Sequence, residues 1–570
     1  MSRQGHDTKA NNTHSRLEVS KRGFELIRTP LLNKGTAFST EERRAFGIEG
    51  LLPHGGKTLD QQARRVYAQI SRHADPLEKY VAIAALRDRN EILFYRVLCE
   101  HLEEFMPIVY TPTVGLATQR FSHVFQQGRG LWITPDMQGR MVEVLENARP
   151  SRSTRLIVVT DNESILGIGD QGAGGMAISL GKLALYSAGA GIYPGDTLPV
   201  SLDFGTNNEE LLADDQYLGW PHHRLRGDAY FDLVEEFVEA VHTVLPRALV
   251  QWEDFRKDNA LTILDKYRDR LPSFNDDIQG TGAVVAAGLV CALSEIGQPL
   301  ESQRIVIHGA GAGGLGVARQ IEAAMVRCGM SAADRRAAIA VLDRGGLLVD
   351  DREIADAYKR ELAWPAELAS ARGLSDPNQR NLAEVVAQFR PTVLLGVSGQ
   401  GGAFTESIVL DMVEHVERPI IFPSSNPTEN SEATPSDLFE WTNGRALVAT
   451  GSPFPDVEYD GRTIEIGQGN NVFIFPGLGL SVLALGARTV TDGMIAAASD
   501  ALAAQVTAEE HARGLLFPSV DRLRSVSLAV AVGAGEQAIE EGVAEATEQS
   551  VEARIAAHVW DVDYPEYVPV

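Results

Sequence analysis

Between Leu59 and Phe105 the apolar residues recur at helical spacing, as in Leu77, Val81 and Ala84 and again in Leu93, Val97 and Leu98. That spacing predicts a helical N-terminal segment. The break from Pro107 to Pro112 changes the pattern. Leu156 to Val159 is a short apolar run ending in Thr160-Asp161, followed by a glycine-rich turn and an amphipathic stretch beginning near Gly181. Strand, loop, helix is the expected order. The strand-like Leu198 to Phe204, helical Phe231 to Val244, strand-like Ala248 to Trp252 and helical Ala260 to Tyr267 repeat the alternation, which implies βαβ units and a parallel sheet.

A second series opens at Arg304-Ile305-Val306-Ile307, where a strand runs into glycines and a helix. Further apolar strands are predicted at Ile339 to Leu342, Val393 to Leu395, Pro419 to Phe422 and Leu447 to Ala449. This reads as a separate doubly wound domain. Beyond Asn471 the chain is mostly helical, with a glycine-punctuated stretch from Pro476 to Gly486, and it ends in an acidic, aromatic tail from Trp560 to Val570.

Composition narrows the function. With 570 residues, 44% hydrophobic and 23% charged, the chain has the make-up of a globular protein of several domains. Lys plus Arg number 52 against 77 Asp plus Glu, a formal charge of -25 that opposes binding to nucleic acid or anionic membranes. An anionic substrate must then be held by a local device such as a metal or an anion nest. The three cysteines, Cys99, Cys291 and Cys328, fit neither a disulfide framework nor a zinc site, and a cytoplasmic location is expected. The polar opening stretch Met1 to Glu18 lacks the apolar centre of a signal peptide.

The most interpretable motif is His308-Gly309-Ala310-Gly311-Ala312-Gly313-Gly314, placed directly after a strand and opening a helix. Gly309 permits the tight turn, Gly311 the approach of a pyrophosphate and Gly314 close helix packing, while the helix N-terminus favours the anion. The next strand ends at Asp343, the usual place for an acid that accepts ribose hydroxyls, although further on than the usual ~20 residues.

Two acidic loops follow from the first series: Glu253-Asp254 at a strand end, and Asn275-Asp276-Asp277 before Gly280-Thr281. Oxygen-only donors at the carboxyl ends of parallel strands suit Mg²⁺ or Mn²⁺. Helix capping by Asp276 and Asp277 accounts for the second pair equally well. The run Gly167 to Gly175 leading to Gly181-Lys182-Leu183 resembles a phosphate loop in outline but lacks its hydroxyl, Leu183 standing in that place. Lys182 reads either as a desolvated lysine able to act as a base or as a lysine snorkelling from a helix face. Tyr110, just before Pro112, reads by itself as a packing residue.

Taken together, the segments Leu32 to Phe38, Tyr110 to Gly115, Thr160-Asp161 to Lys182, Glu253-Asp254, Asn275 to Thr281, Ser425-Asn426-Pro427-Thr428 and Gly467 to Asn471 resemble the malic enzyme family. The resemblance implies oxidative decarboxylation of L-malate to pyruvate and CO₂, with NAD as the main cofactor and NADP tolerated. It implies Lys182 as general base assisted by Asp276, and Tyr110 as the acid that protonates the enolate. Glu253, Asp254 and Asp277 would hold Mg²⁺ or Mn²⁺. Gly309, Gly311, Gly314 and Asp343 would bind the dinucleotide, and Asn426 and Asn471 would contact malate and the nicotinamide end. Many members carry an arginine that clamps a substrate carboxylate where this chain has Ser164.

Cofactor choice turns on Asp343, which repels a 2′-phosphate, against Arg344 and Tyr358-Lys359-Arg360, which could neutralise one. The resemblance further implies a homotetramer or homodimer. It divides the α/β chain into a helical N-terminal domain, 1–128, a metal and substrate parallel-sheet domain, 129–276 with 470–536, a Rossmann-type NAD domain, 277–469, and a C-terminal tail, 537–570. Two alternatives remain. A malolactic enzyme would give lactate, but such relatives tend to carry an acid after the tyrosine, and here Thr111 follows Tyr110. A non-catalytic dinucleotide-binding protein would have lost reactive side chains that this chain retains.

Overall fold

The computed structural model describes residues 15–148 and 154–570; the first fourteen residues of the polar opening stretch lie outside them. Packing gathers the chain into two compact units. One comprises 1–255, 479–488 and 544–570, and the other 256–478 and 489–543.

In the first unit, four strands lie side by side in the order Leu131–Ile133, Thr197–Leu202, Leu156–Thr160 and Leu249–Trp252, all parallel. Leu156–Thr160, Thr197–Leu202 and Leu249–Trp252 are buried at every position, which is why their sequences run apolar rather than alternating. The expected N-terminal helices form as Leu59–Ile70, Pro76–Arg89, Glu91–Glu100 and Leu102–Val109. Thr58, Asp75 and Asn90 cap the first three by accepting backbone N–H bonds. The helix expected from Gly181 starts earlier, at Met176, because Gly172–Gly175 already forms a helical turn. The acidic tail also carries a strand: Glu566–Pro569 pairs in parallel with Arg16–Val19. Buried Lys34 ties it down, donating to the Pro565 carbonyl and the Glu42 carboxylate while its ammonium sits 3.9 Å from the Tyr567 ring centre.

The second unit holds a seven-stranded sheet. Its order is Gly467–Gln468, Leu447–Thr450, Ile420–Pro423, Val393–Gly396, Ile305–His308, Ile339–Asp343, Gly346–Leu347. The last strand is antiparallel to its neighbour and the other pairings are parallel. Ile305–His308, first in the chain, lies inside the sheet; the chain then winds to one side through Ile339–Asp343 and returns to the other through Val393–Gly396. This reversal is the doubly wound pattern, and it opens a crevice at the carboxyl ends between Ile305–His308 and Val393–Gly396.

Helix Thr281–Ile296 packs on Ala312–Arg327 and on Asp492–Ala503, which in turn packs on Leu523–Glu540. These contacts place 489–536 in the second compact unit. Likewise, 1–128 shares one compact unit with the first parallel sheet. The segment Asp276–Ile296 is apolar and long enough to cross a bilayer, but 72% of its most apolar window is buried inside the fold, as expected of a core helix.

Candidate active site

The first unit brings Tyr110, Lys182, Glu253 and Asp254 to the carboxyl ends of its strands. Leu249–Trp252 runs straight into Glu253 and Asp254, which are 2% and 5% exposed. The Glu253 amide donates to the Val159 carbonyl, so the sheet ladder continues one residue past the strand. At Asp254 the chain turns sharply, with φ at +55°, a left-handed conformation that costs a non-glycine residue on the order of 1 kcal/mol. Its carbonyl accepts the amide of Ser164. Ser164, where the resemblance leads one to expect an arginine, thus braces the acidic turn through its backbone.

Lys182, 1% exposed on helix Met176–Leu185, places its ammonium 3.0 Å from Glu253 Oε1 and 5.0 Å from the Tyr110 ring centre. Gly181 allows this approach: a Cβ there would lie 2.6 Å from the Val109 carbonyl oxygen. The snorkelling alternative fails, because the ammonium ends in the interior. Glu253 Oε2 accepts from the Gln251 amide at 2.7 Å, and the Tyr186 hydroxyl fixes that amide by donating to its oxygen. Buried oxygen donors at a strand end are the set that a hard divalent ion requires.

Nearby, the guanidinium of Arg224 is fully buried. It donates to both Asp170 oxygens at 2.9 and 2.6 Å and to the Asp161 carbonyl at 2.5 Å. Burial favours a neutral Asp170, but the bonds from Arg224 outweigh it and hold the carboxyl below the usual range. Sequence reasoning missed this arginine, since nothing local marks it. Next to Ser164, Glu163 receives both terminal nitrogens of Arg226 at 2.5 Å.

The second unit carries Asp276, Asp277 and Asn471. Strand Ser273–Asn275 leads into a helical turn whose cap is Asn275, accepting from the Ile278 amide at 2.9 Å. The capping task given as an alternative for Asp276 and Asp277 is therefore filled by their neighbour. Asp276 is fully buried, and Asn471 Nδ2 donates to its Oδ2 at 3.0 Å and to its carbonyl at 3.1 Å. Gly280 leaves room for this carboxylate, as a Cβ there would meet Asp276 Oδ1 at 2.1 Å.

In the same unit the glycines after Ile305–His308 form a cradle. Gly309 has φ at +125°, and a Cβ on it would strike the Val397 carbonyl at 2.4 Å. Above Gly311 the space is open, as a phosphate-facing position requires. Gly314 closes against Gly309, while the contact with a neighbouring helical turn falls to Gly316, whose Cβ would overlap the Ile278 carbonyl at 1.8 Å. Helix Ala312–Arg327 points its first amides into this space. Asp343 ends the next strand with Oδ1 bonded to Arg352 at 3.0 Å and Oδ2 to Lys359 at 2.9 Å. Exposed Asn426 accepts from the Ser452 hydroxyl at the far side of the crevice.

Residues 87–268 match the family model described as malic enzyme, N-terminal domain, and residues 278–539 match malic enzyme, NAD binding domain. The chain belongs to the malic enzyme family. It is 45% identical to the NAD-dependent malic enzyme of Aliivibrio fischeri over 98% of this chain and 99% of that one. With NAD-dependent malic enzyme 3 of Bacillus subtilis it shares 46%, over 97% and 98%. The malic enzyme of Entamoeba histolytica, a crystal structure 24% identical, aligns with a TM-score of 0.54 over 89% of each chain and shares the fold.

Proposed function

We propose that this malic enzyme family member oxidatively decarboxylates L-malate to pyruvate and CO₂, reducing NAD, with NADP accepted less well. The observation that carries the reading is the buried Lys182 ammonium, held between the Glu253 carboxylate and the Tyr110 ring. A lysine so enclosed is placed to take a hydroxyl proton rather than to dissolve a surface. Lys182 removes the proton from the C2 hydroxyl, with Asp276 assisting, and Tyr110 returns a proton to the enolate carbon.

Glu253, Asp254 and Asp277 would hold Mg²⁺ or Mn²⁺, which would supply Lewis-acid chemistry there. Gly309, Gly311, Gly314 and Asp343 bind the dinucleotide, with Asn426 and Asn471 at its nicotinamide end and on malate. Cytoplasmic location and a homotetramer or homodimer complete the proposal, supported by the family and by a sequence with only three, widely spaced cysteines.

The test is turnover of L-malate with Mn²⁺, comparing NAD with NADP and measuring pyruvate, lactate and CO₂. Pyruvate and reduced cofactor formed in equal amounts, and lost on chelation, are expected. Lactate and CO₂ without accumulating NADH would identify a malolactic enzyme instead, and no turnover at all would leave a dinucleotide-binding protein.

A further inference from the structure

Glu432 is a fully buried carboxylate for which the reaction above has no use. It lies just past the carboxyl ends of Val393–Gly396 and Ile420–Pro423, so close to the first that a Cβ on Gly396 would meet its Cδ at 2.4 Å. Its Oε1 accepts from the Ser398 amide at 2.8 Å, the Ser398 hydroxyl at 2.7 Å and the Ser425 hydroxyl at 2.6 Å. Oε2 accepts from the Ser425 amide at 3.3 Å. Ser425 Oγ also accepts from the Gly399 amide at 2.9 Å, so the three groups lock the loop after one strand to the loop after the next.

Among the described residues, every bond at this carboxylate comes from a neutral donor and none from Lys or Arg. The titratable neighbour is His308, which burial pushes below its ordinary value, leaving it neutral. Donors on both oxygens are what an ionised carboxylate accepts, and without a cation its charge stays uncancelled.

The place of that charge matters. A dinucleotide bound in the crevice with its adenosine ribose toward Asp343 would place its other half on the side of Val393–Gly396 and Ile420–Pro423. That half is a cationic pyridinium in NAD⁺ and neutral in NADH. We propose that Glu432 is a positioning residue that fixes both loops and, through its unpaired charge, biases the site toward the oxidised cofactor. The proposal rests on the dinucleotide occupying this crevice. A charge of this kind at roughly 10 Å, weakly screened, favours the cation on the order of five- to tenfold.

Direct binding to the full chain, without malate or metal, tests it: NADH by its fluorescence and NAD⁺ by competition. In Glu432→Gln, which keeps the shape and removes the charge, NAD⁺ is expected to weaken roughly five- to tenfold while NADH changes less than about twofold. Ser425→Ala, which loosens the loops and keeps the charge, is expected to weaken both cofactors by the same factor. An unchanged NAD⁺ to NADH ratio in Glu432→Gln would overturn the proposal. Should circular dichroism show that variant unfolded, Glu432→Met combined with Ser425→Ala removes the charge together with one of its donors; both cofactors then weaken, and NAD⁺ is expected to lose roughly five- to tenfold more than NADH. Failure of the unaltered chain to bind either cofactor would instead refute the dinucleotide reading.

Discussion

Glu253 and Glu432 are both buried glutamates just beyond the carboxyl ends of parallel strands, one in each unit, yet they are satisfied in opposite ways. Glu253 faces the Lys182 ammonium and the Gln251 amide. Among the described residues, Glu432 accepts from amides and hydroxyls alone. A carboxylate beside a cation loses its field at a distance but can share its oxygens with a metal and hold a base in place. One held by neutral dipoles keeps its field and can act on a charge it never touches. What neutralises an acid, more than how deeply it is buried, decides the work it can do.

The largest effect should come from breaking the first arrangement. Lys182→Ala removes both the base and the partner of Glu253, and kcat on malate should fall by about 10³-fold while NAD still binds. Binding measured alongside turnover separates lost chemistry from lost fold. Turnover within tenfold of the unaltered enzyme would refute the assignment and leave Lys182 as a structural counter-ion.

Arg224 supplies a third pattern, an acid neutralised by a buried cation that is also bonded to the backbone. Its guanidinium bonds both Asp170 oxygens and the Asp161 carbonyl. Arg224→Met should cost about 3 kcal/mol of stability at neutral pH, read from thermal unfolding, because the partly buried Asp170 is left without its cation. The sign with pH follows from the depressed Asp170 carboxyl. Its stabilising share is complete above the unfolded value of about 4 and is lost as the pH falls through the folded one. The gap between variant and parent should therefore narrow in acid, and a gap that widens there would show that Asp170 is not the group involved.

These contrasts also mark what was legible beforehand. Alternating strands and helices, the glycine loop with Asp343, and the neighbouring pairs Glu253-Asp254 and Asp276-Asp277 are local patterns, and each falls at a strand end as local rules predict. Lys182 beside Tyr110 depends on Gly181 meeting a carbonyl some seventy residues earlier in the chain, a contact no period encodes; only the resemblance pointed to it. Glu432 is one acid among 77, distinguished solely by which donors the fold turns toward it. The strand at Glu566–Pro569 was hidden for a related reason, since its partner lies at the opposite end of the chain.

The smallest effect concerns Asp343, which resembles Glu253 in being cation-bound but is open to a ligand. Burial alone would raise its carboxyl, yet bonds from Lys359, the Gly345 amide and Arg352 outweigh it and hold the group below the ordinary range. An acid so well bonded accepts ribose hydroxyls weakly, and the two cations beside it offset part of the repulsion that a 2′-phosphate would meet. NAD should therefore be preferred over NADP by only about tenfold in kcat/KM, a preference worth roughly 1.4 kcal/mol. Asp343→Ser frees Lys359 and Arg352 to face the phosphate, so the preference should shrink by a few-fold, mainly through a lower KM for NADP. If the ratio instead holds while both KM values rise, Asp343 shapes the pocket without selecting between the cofactors, and its cations belong with Arg224 among the structural pairs.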